Sequence, residues 1–169
     1  LVIMQEGGIL QHIIPGMKPN TDLDPIRHLV AIEKEEGSVI PSKDAIIRLA
    51  LLMEGGEKQI EALCEKWKSS KAHKKQLLEL VDPEIEINVV MDEQAHKKQL
   101  ARLGREDFIR QLLYRWAKDE SNDHIFACKS MLALANTWDI PWFPLKGKDI
   151  LTVGIEPGKR VGQLLDKSY

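Results

Sequence analysis

Six residues near the C-terminus have the types and spacing that bind phosphate. They are the cations Lys146, Lys148, Lys159 and Arg160 and the glycines Gly147 and Gly158. The cations flank two predicted helix N-termini, where unpaired N–H donors and the positive end of the helix dipole attract anions. Such a site contacts the sugar-phosphate backbone of a nucleic acid, which is common to all base sequences. A helical hairpin that only packs is the alternative interpretation.

The flanking sequence predicts that this hairpin consists of two short helices. Pro141 and Pro144 exclude helix from the approach, because proline lacks an N–H donor and restricts the residue before it. The apolar spacing of residues 148–153 predicts about two helical turns. Gly154 stands where a left-handed cap ends a helix, and Pro157 stands at the first position of the next one.

Other residues with reactive side chains are predicted to be structural. His124 and Cys128 have the spacing of a zinc-ligand pair, but no second pair stands nearby, so we expect no metal site. Neither Cys64 nor Cys128 has an obvious partner base, so no catalytic thiol is expected. Because both cysteines lie within helical patterns, a disulfide is not expected and a reducing, cytoplasmic location is favoured. The pairs Asp92–Glu93 and Asp119–Glu120 look like helix-end charges.

Apolar residues at helical spacing predict an all-α chain, a multi-helix array of about nine short helices that ends in the hairpin. The helices are predicted over residues 1–5, 9–14, 24–36, 42–53, 57–80 with a break at Ser69–Ser70, about 91–103, a stripe from Phe108 to Trp116, and from Asn122 or Asp123 onward. Ser42 and Asp24 are predicted N-caps. Residues 85–89 alternate as in a strand, but no second strand is available to pair with them.

Two apolar stripes are predicted to form much of the core. Their residues are Phe108, Ile109, Leu112, Leu113 and Trp116, and then Ile125, Phe126, Cys128, Met131, Leu132 and Ala135. Three of the four tryptophans are expected in the core, and Trp142 is expected to be partly exposed.

A repeated hexapeptide, Ala-His-Lys-Lys-Gln-Leu, occurs at residues 72–77 and 95–100. Two copies are too few for a solenoid, and we predict that both basic faces are solvated. The alternative is a basic strip that contacts RNA phosphates.

The overall composition limits the classes of function. The formal net charge of −2 argues against a general polyanion binder, so any nucleic-acid site must be a local basic patch. No apolar run approaches the roughly 20 residues of a membrane span, and no signal peptide is evident. Because the chain opens on Leu1 within an apolar run, we expect it to be part of a longer protein.

The C-terminal residues resemble the tail signature of bacterial class II CCA-adding enzymes, tRNA nucleotidyltransferases related to poly(A) polymerases. The signature comprises Phe143-Pro144-Leu145-Lys146-Gly147-Lys148-Asp149-Ile150-Leu151, then Gly154, Pro157-Gly158 and Val161-Gly162-x-Leu164-Leu165. Ile150 stands where the family usually has leucine. Residues 23–33 and 42–52 resemble the helical body of the same family, whereas residues 55–100 match no part of it.

The resemblance implies the end of a neck at residues 1–20, a helical body at 21–118 and a tRNA-binding tail at 119–169. In this family the enzyme adds C, C and A to tRNA 3′ ends from CTP and ATP, using Mg²⁺ held by carboxylates of an N-terminal head. That head is absent from this chain, so neither a catalytic residue nor a cofactor is expected here. The tail is expected to reach the elbow of tRNA, where the D and T arms meet, through shape, phosphates and 2′-hydroxyls.

Two alternatives stay open at this point. A poly(A) polymerase of the same family has the same chemistry and a different choice of nucleotide. A non-catalytic helical interaction module has no RNA role. The oligomeric state is also open, and no membrane association is expected.

Overall fold

The computed structural model describes residues 1–40, 43–119 and 122–141. Within these ranges all regular secondary structure is helical and there is no strand, which confirms the all-α prediction. The helices are α1 Val2–Glu6, α2 Ile9–Ile13, α3 Asp24–Glu35, α4 Ala45–Leu51, α5 Gly56–Trp67, α6 Lys71–Val81, α7 Glu93–Leu103, α8 Arg105–Lys118 and α9 Ile125–Thr137, with a 3-10 turn at Asn122–His124. The predicted C-terminal hairpin lies outside the described residues.

Helix α8 is the central element of the fold. It contacts α3, α4, α6, α7 and α9. All five residues of its predicted stripe are buried, and Phe108 and Leu112 are fully enclosed. Gln111, Tyr114 and Ala117 are buried as well. A helix that is enclosed on nearly all sides belongs in the middle of a bundle, and here the other helices surround it.

Side-chain caps fix where three of the helices begin. Asp44 accepts from the backbone N–H of Ile46 at 2.8 Å, Ser70 from His73 at 3.1 Å, and Asp92 from Ala95 at 2.8 Å. These are the residue types that satisfy the unpaired N–H groups of a first turn.

Two predicted N-caps are wrong. Helix α4 begins at Ala45 and is capped by Asp44, so the predicted cap at Ser42 lies too early in the sequence. Asp24 is the first residue of α3 rather than its cap, and its own N–H donates to the Asp22 carboxylate at 2.9 Å. In both regions several polar residues precede the helix, and a short polar run does not identify which one takes the cap geometry.

The predicted break between α5 and α6 is present, and it is a short turn with defined hydrogen bonds. Lys68 adopts a left-handed backbone conformation, with φ 51°, at the end of α5. The next N–H, of Ser69, donates to the carbonyl of Cys64 at 2.9 Å. This bond satisfies a carbonyl at the helix end, as left-handed caps commonly do. The two helices therefore form a hairpin with a short, fixed turn.

Two predicted core residues are exposed instead. Phe126 is 84% exposed, because it stands two residues, or about 200°, from Cys128 on the other side of α9. Trp67 is 44% exposed at the end of α5. Residues 85–89, which alternate like a strand, form a loop that places Ile87 in the core. None of the described helices combines the length and apolarity of a membrane span.

Candidate functional site

The predicted phosphate-binding residues lie outside the part of the chain that the structure describes. They are Lys146, Gly147, Lys148, Gly158, Lys159 and Arg160. Trp142 also lies outside it. The structure does describe Trp138, which precedes this segment, and a second group of cations on the helical body.

Trp138 marks the point where the chain leaves α9 toward the C-terminal signature. Its backbone N–H donates to the carbonyl of Leu134 at 2.9 Å. Arg105, at the start of α8, donates from Nη2 to the Trp138 carbonyl at 3.1 Å. Lys97 of α7 stands 5.9 Å from the centre of the indole ring, within cation–π range. Three helices thus hold the residue that leads into the signature.

The turn between α5 and α6 carries a concentration of exposed cations, which we call the basic turn. It consists of Lys66, Lys68, Lys71, His73 and Lys75 around the half-exposed Trp67. Within the described residues, no carboxylate lies within ion-pair distance of Lys66, Lys68 or Lys71. Lys75 pairs with Glu79 at 3.4 Å, one helical turn away. This end of the hairpin therefore carries positive charge that the body does not neutralise.

Among these cations, Lys71 has an electrostatically unfavourable position for its own helix, α6. Lys71 is the first residue of α6, and the first turn of α6 contains no acidic residue. A cation at the positive end of the helix dipole destabilises the helix slightly, whereas a cation at the other end stabilises it. Lys66 and Lys68 sit at the C-terminal end of α5, where their charge is favourable. The end of α5 and the start of α6 meet in this turn, so the lysines of both helices lie close together and their positive charges add.

Trp67 is fixed in this turn rather than free to move into the core. Its indole N–H donates to the carbonyl of Ile13 at 3.2 Å, and Lys66 donates to the carbonyl of the neighbouring His12. Both bonds join α5 to the end of α2. An exposed aromatic ring among lysines is the combination that binds nucleic-acid backbone and stacks on unpaired bases.

The second copy of the repeated hexapeptide has a different environment. In α7 the buried His96 is 7% exposed, and its Nε2 lies 3.0 Å from the carbonyl of Asn88. Lys97 pairs with Glu93 at 2.6 Å, and Asp92 caps the helix. The prediction that both copies face solvent is therefore wrong for His96. The loop before α7 covers this histidine, whereas His73 stands at the open end of its hairpin.

Most other cations of the body are paired with carboxylates. Lys18 pairs with Glu54 at 2.8 Å, Lys74 with Glu61 at 2.9 Å and Lys129 with Glu36 at 2.8 Å. The hydrogen bond that Lys74 donates to Glu61 raises the pKa of Lys74, and the one that Lys129 donates to Glu36 raises the pKa of Lys129. Both lysines stay protonated but are partly neutralised by their partners. In the basic turn, by contrast, Lys66, Lys68 and Lys71 have no carboxylate within ion-pair distance among the described residues.

His124 and Cys128 have the spacing of a zinc-ligand pair, although no metal site is predicted from the sequence. His124 Nδ1 lies 2.9 Å from Oδ2 of Asp119. Cys128 is buried, and burial, followed by the charge of Asp119, raises the pKa of its thiol to about 11. A thiol in that state is neutral and a poor metal ligand. Within the described residues, no group of three or more His, Cys, Asp or Glu side chains is arranged to hold a metal ion, and both cysteines are free.

The chain was compared with protein-family models, with curated proteins and with solved structures, and no match was found. The function must therefore be inferred from the residues and their arrangement. The predicted site residues do not include Lys66, Lys68 or Lys71, and the hexapeptide is predicted to be solvated. The signal that identifies the basic turn is the density of lysines around one tryptophan in residues 66–75.

Proposed function

We propose that this chain is the tRNA-binding C-terminal region of a nucleotidyltransferase that adds CCA to tRNA 3′ ends from CTP and ATP. The observation that carries the proposal is the spacing of the signature from Phe143 to Leu165. Catalysis, with Mg²⁺ and both nucleotides, belongs to a head outside this chain. The all-helical body and the fixed position of Trp138 support the proposal, since a fixed attachment point limits the positions that the tail can take relative to the body.

In this proposal the chain binds tRNA through its backbone. The tail provides Lys146, Lys148, Lys159 and Arg160 with the N–H groups around Gly147 and Gly158. The basic turn provides a second set of cations on the body. Both sets consist of cations, together with backbone N–H groups in the tail. In this proposal they contact the phosphates that all tRNA species share, so different tRNA species are expected to bind alike.

The experiment is a salt titration of tRNA binding. Each phosphate contact that is lost lowers the log–log slope by roughly 0.7 to 0.9, because fewer counterions are released on binding. Lys159→Ala with Arg160→Ala is expected to weaken binding and flatten this slope, for several tRNA species alike. An unchanged affinity and slope in a folded double variant would contradict the role of the tail.

The basic turn is tested in the same titration. Lys68→Gln with Lys71→Gln removes two of its charges, and Lys34→Gln with Lys98→Gln removes two exposed charges elsewhere on the surface as the matched control. If the basic turn contacts phosphate, the first pair flattens the slope more than the second. Equal slopes for the two pairs would restrict the RNA interface to the tail.

The alternatives predict different outcomes. A helical interaction module binds tRNA no better than the same mass of bovine serum albumin, at any salt concentration. A poly(A) polymerase of the same family binds RNA, and its full-length enzyme incorporates ATP but not CTP. The CCA-adding enzyme incorporates both. This chain alone, given tRNA, CTP, ATP and magnesium, is expected to incorporate neither, because it lacks a carboxylate pair with a nucleotide-binding loop.

A further inference from the structure

Two aromatic residues are well exposed in the described part of the chain, and their surroundings differ. Trp67 is 44% exposed and Phe126 is 84% exposed. A single exposed apolar residue is ordinary on a protein surface and needs no explanation. Phe126 is such a residue, since Lys129, one turn further along α9, is paired with Glu36 at 2.8 Å. Trp67 is different, because it belongs to the basic turn.

The basic turn keeps an excess of positive charge when its neighbours are counted. Residues 61–79 contain five lysines and three glutamates. Two of these carboxylates are already paired, Glu61 with Lys74 at 2.9 Å and Glu79 with Lys75 at 3.4 Å. The other three lysines are accompanied by one carboxylate, that of Glu65. An anionic partner is therefore attracted to this turn.

Hydrogen bonds hold Trp67 in place at the surface. Its indole N–H donates to the carbonyl of Ile13 at 3.2 Å. The turn that follows is also fixed, because the N–H of Ser69 donates to the Cys64 carbonyl at 2.9 Å and the Ser70 side chain caps α6. The ring is thus ordered before a ligand arrives. A partner that stacks on it loses less conformational entropy than one that must first order the ring.

An ordered aromatic ring among lysines matches the chemistry of an unpaired nucleotide. Every base has a flat π-face that stacks on an aromatic side chain, and the neighbouring phosphates supply the negative charge. A base inside a double helix is stacked on its neighbours, so it has no free face for the ring. Lys66 donates to the His12 carbonyl, and its ammonium group retains two further donors for a phosphate. The combination favours a single strand over a duplex.

We propose that the basic turn binds an unpaired RNA nucleotide, whose base stacks on Trp67 and whose flanking phosphates lie against Lys66, Lys68 and Lys71. The proposal rests on the RNA-binding function proposed above and adds to it a site that requires a base. Contacts to phosphates form with paired and unpaired RNA alike, whereas the stacking site takes only a base that no other base covers. Such bases occur in the loops and at the ends of RNA.

The test uses the whole chain and two single-stranded probes. One is octaadenylate, and the other is an oligomer of the same length and charge whose ribose units carry no bases. We expect octaadenylate to quench tryptophan fluorescence to saturation and the abasic oligomer not to, because only a base stacks on the indole ring. Trp67→Phe is expected to remove this quenching, which assigns it to Trp67 among the four tryptophans.

Variants of Trp67 separate stacking from a structural role, with affinity measured by the fluorescence anisotropy of labelled octaadenylate. Trp67→Leu removes the ring and is expected to weaken binding about fivefold to tenfold, the lower part of the range for base–aromatic stacking. Trp67→Phe retains a ring without the N–H group and is expected to recover most of this affinity. Phe126→Leu is the matched control, because it removes an exposed ring outside the basic turn, and it should bind like the wild type.

The proposal is overturned if octaadenylate and the abasic oligomer bind the wild type equally tightly, or if Trp67→Leu binds like Phe126→Leu. It is also overturned if Trp67→Phe binds as weakly as Trp67→Leu or keeps the quenching. In these cases binding to the RNA backbone persists, so the proposed function is unaffected. A folded chain that binds tRNA but not octaadenylate also overturns this proposal alone, whereas a folded chain that binds neither overturns the proposed function with it.

Discussion

Asp44 and Arg110 lie 66 residues apart in the chain, and their side chains join α4 to the central helix α8. Nε of Arg110 donates to Oδ2 of Asp44 at 2.6 Å, while Oδ1 of the same carboxylate accepts from the N–H of Ile46 at 2.8 Å. The side chain of Arg110 is only 14% exposed, and that of Asp44 is 19% exposed. Arg110 is also paired with Asp107, one turn earlier in α8. The Asp44 carboxylate therefore both caps the start of α4 and joins α4 to α8.

Replacing Asp44 by alanine removes both interactions. We expect Asp44→Ala to lower the free energy of unfolding by about 1–3 kcal/mol, of which the lost cap is about 1 and the lost hydrogen bond of Arg110, which retains Asp107, is the rest. Asp44→Asn retains a capping oxygen and should lose less. Denaturant unfolding measures both. Asp24→Ala is the matched control, because its pair with Arg27 is exposed and its loss should stay within about 0.5 kcal/mol.

The repeated hexapeptide allows a second prediction within one chain. His96→Ala removes a buried side chain and leaves the carbonyl of Asn88 without that partner, so we expect a loss of about 1–3 kcal/mol. His73→Ala, at the same position of the exposed copy, should change stability by no more than about 0.5 kcal/mol. Thermal or denaturant unfolding of the two variants checks this. Equal losses would mean that the loop before α7 does not protect His96 in solution.

The same comparison shows which parts of the fold follow from local sequence. The stripe from Phe108 to Trp116 predicts a buried helix, because apolar residues repeat at the helical period, and the structure confirms it. The two hexapeptides are identical in sequence and differ in burial. That difference arises from residues 88–91, which pass over one copy only. The hexapeptide itself contains no information about whether the loop before it folds over its histidine.

The candidate sites depend even more on distant contacts. Trp67 is held by Ile13, and Lys66 by His12, across a separation of 54 residues. Trp116 has the sequence pattern of an ordinary core residue, and the spacing does not indicate that its buried indole N–H lacks a hydrogen-bond partner. The C-terminal signature, in contrast, is inferred only from the spacing of residue types between Phe143 and Leu165, and it stays a prediction.

The two phenylalanines of α8 and α9 provide a third prediction. Phe108 is fully buried in α8, and Phe108→Ala is expected to cost about 3–5 kcal/mol, since it leaves a cavity in the central helix. Phe126 is 84% exposed, and Phe126→Ala is expected to change stability by no more than about 0.5 kcal/mol. Both variants are measured by denaturant unfolding of the whole chain. A large loss for Phe126→Ala would mean that another part of this chain covers its ring.

The buried thiol of Cys128 makes stability depend on pH at the alkaline end. Burial raises its pKa from 9.0 to about 11, so between these values the unfolded chain releases a proton that the folded chain retains. Stability then falls as pH rises, because the folded state binds more protons. The contribution is fully present below about pH 9 and is lost progressively up to about pH 11. Its limit is roughly 3 kcal/mol, at about 1.4 kcal/mol for each unit of pKa.

Cys128→Ala separates this effect from the titration of lysines and tyrosines. We expect the variant to lose less stability than the wild type between pH 9 and pH 11, although alanine leaves a small void and lowers stability at neutral pH. Cys64→Ala is the matched control, because it removes the other buried thiol and retains Cys128. This variant should lose as much stability between pH 9 and pH 11 as the wild type does. Unfolding by urea at a series of pH values measures all three proteins. Parallel pH profiles for the wild type and Cys128→Ala would show that this thiol ionises as readily in the folded chain as in the unfolded one.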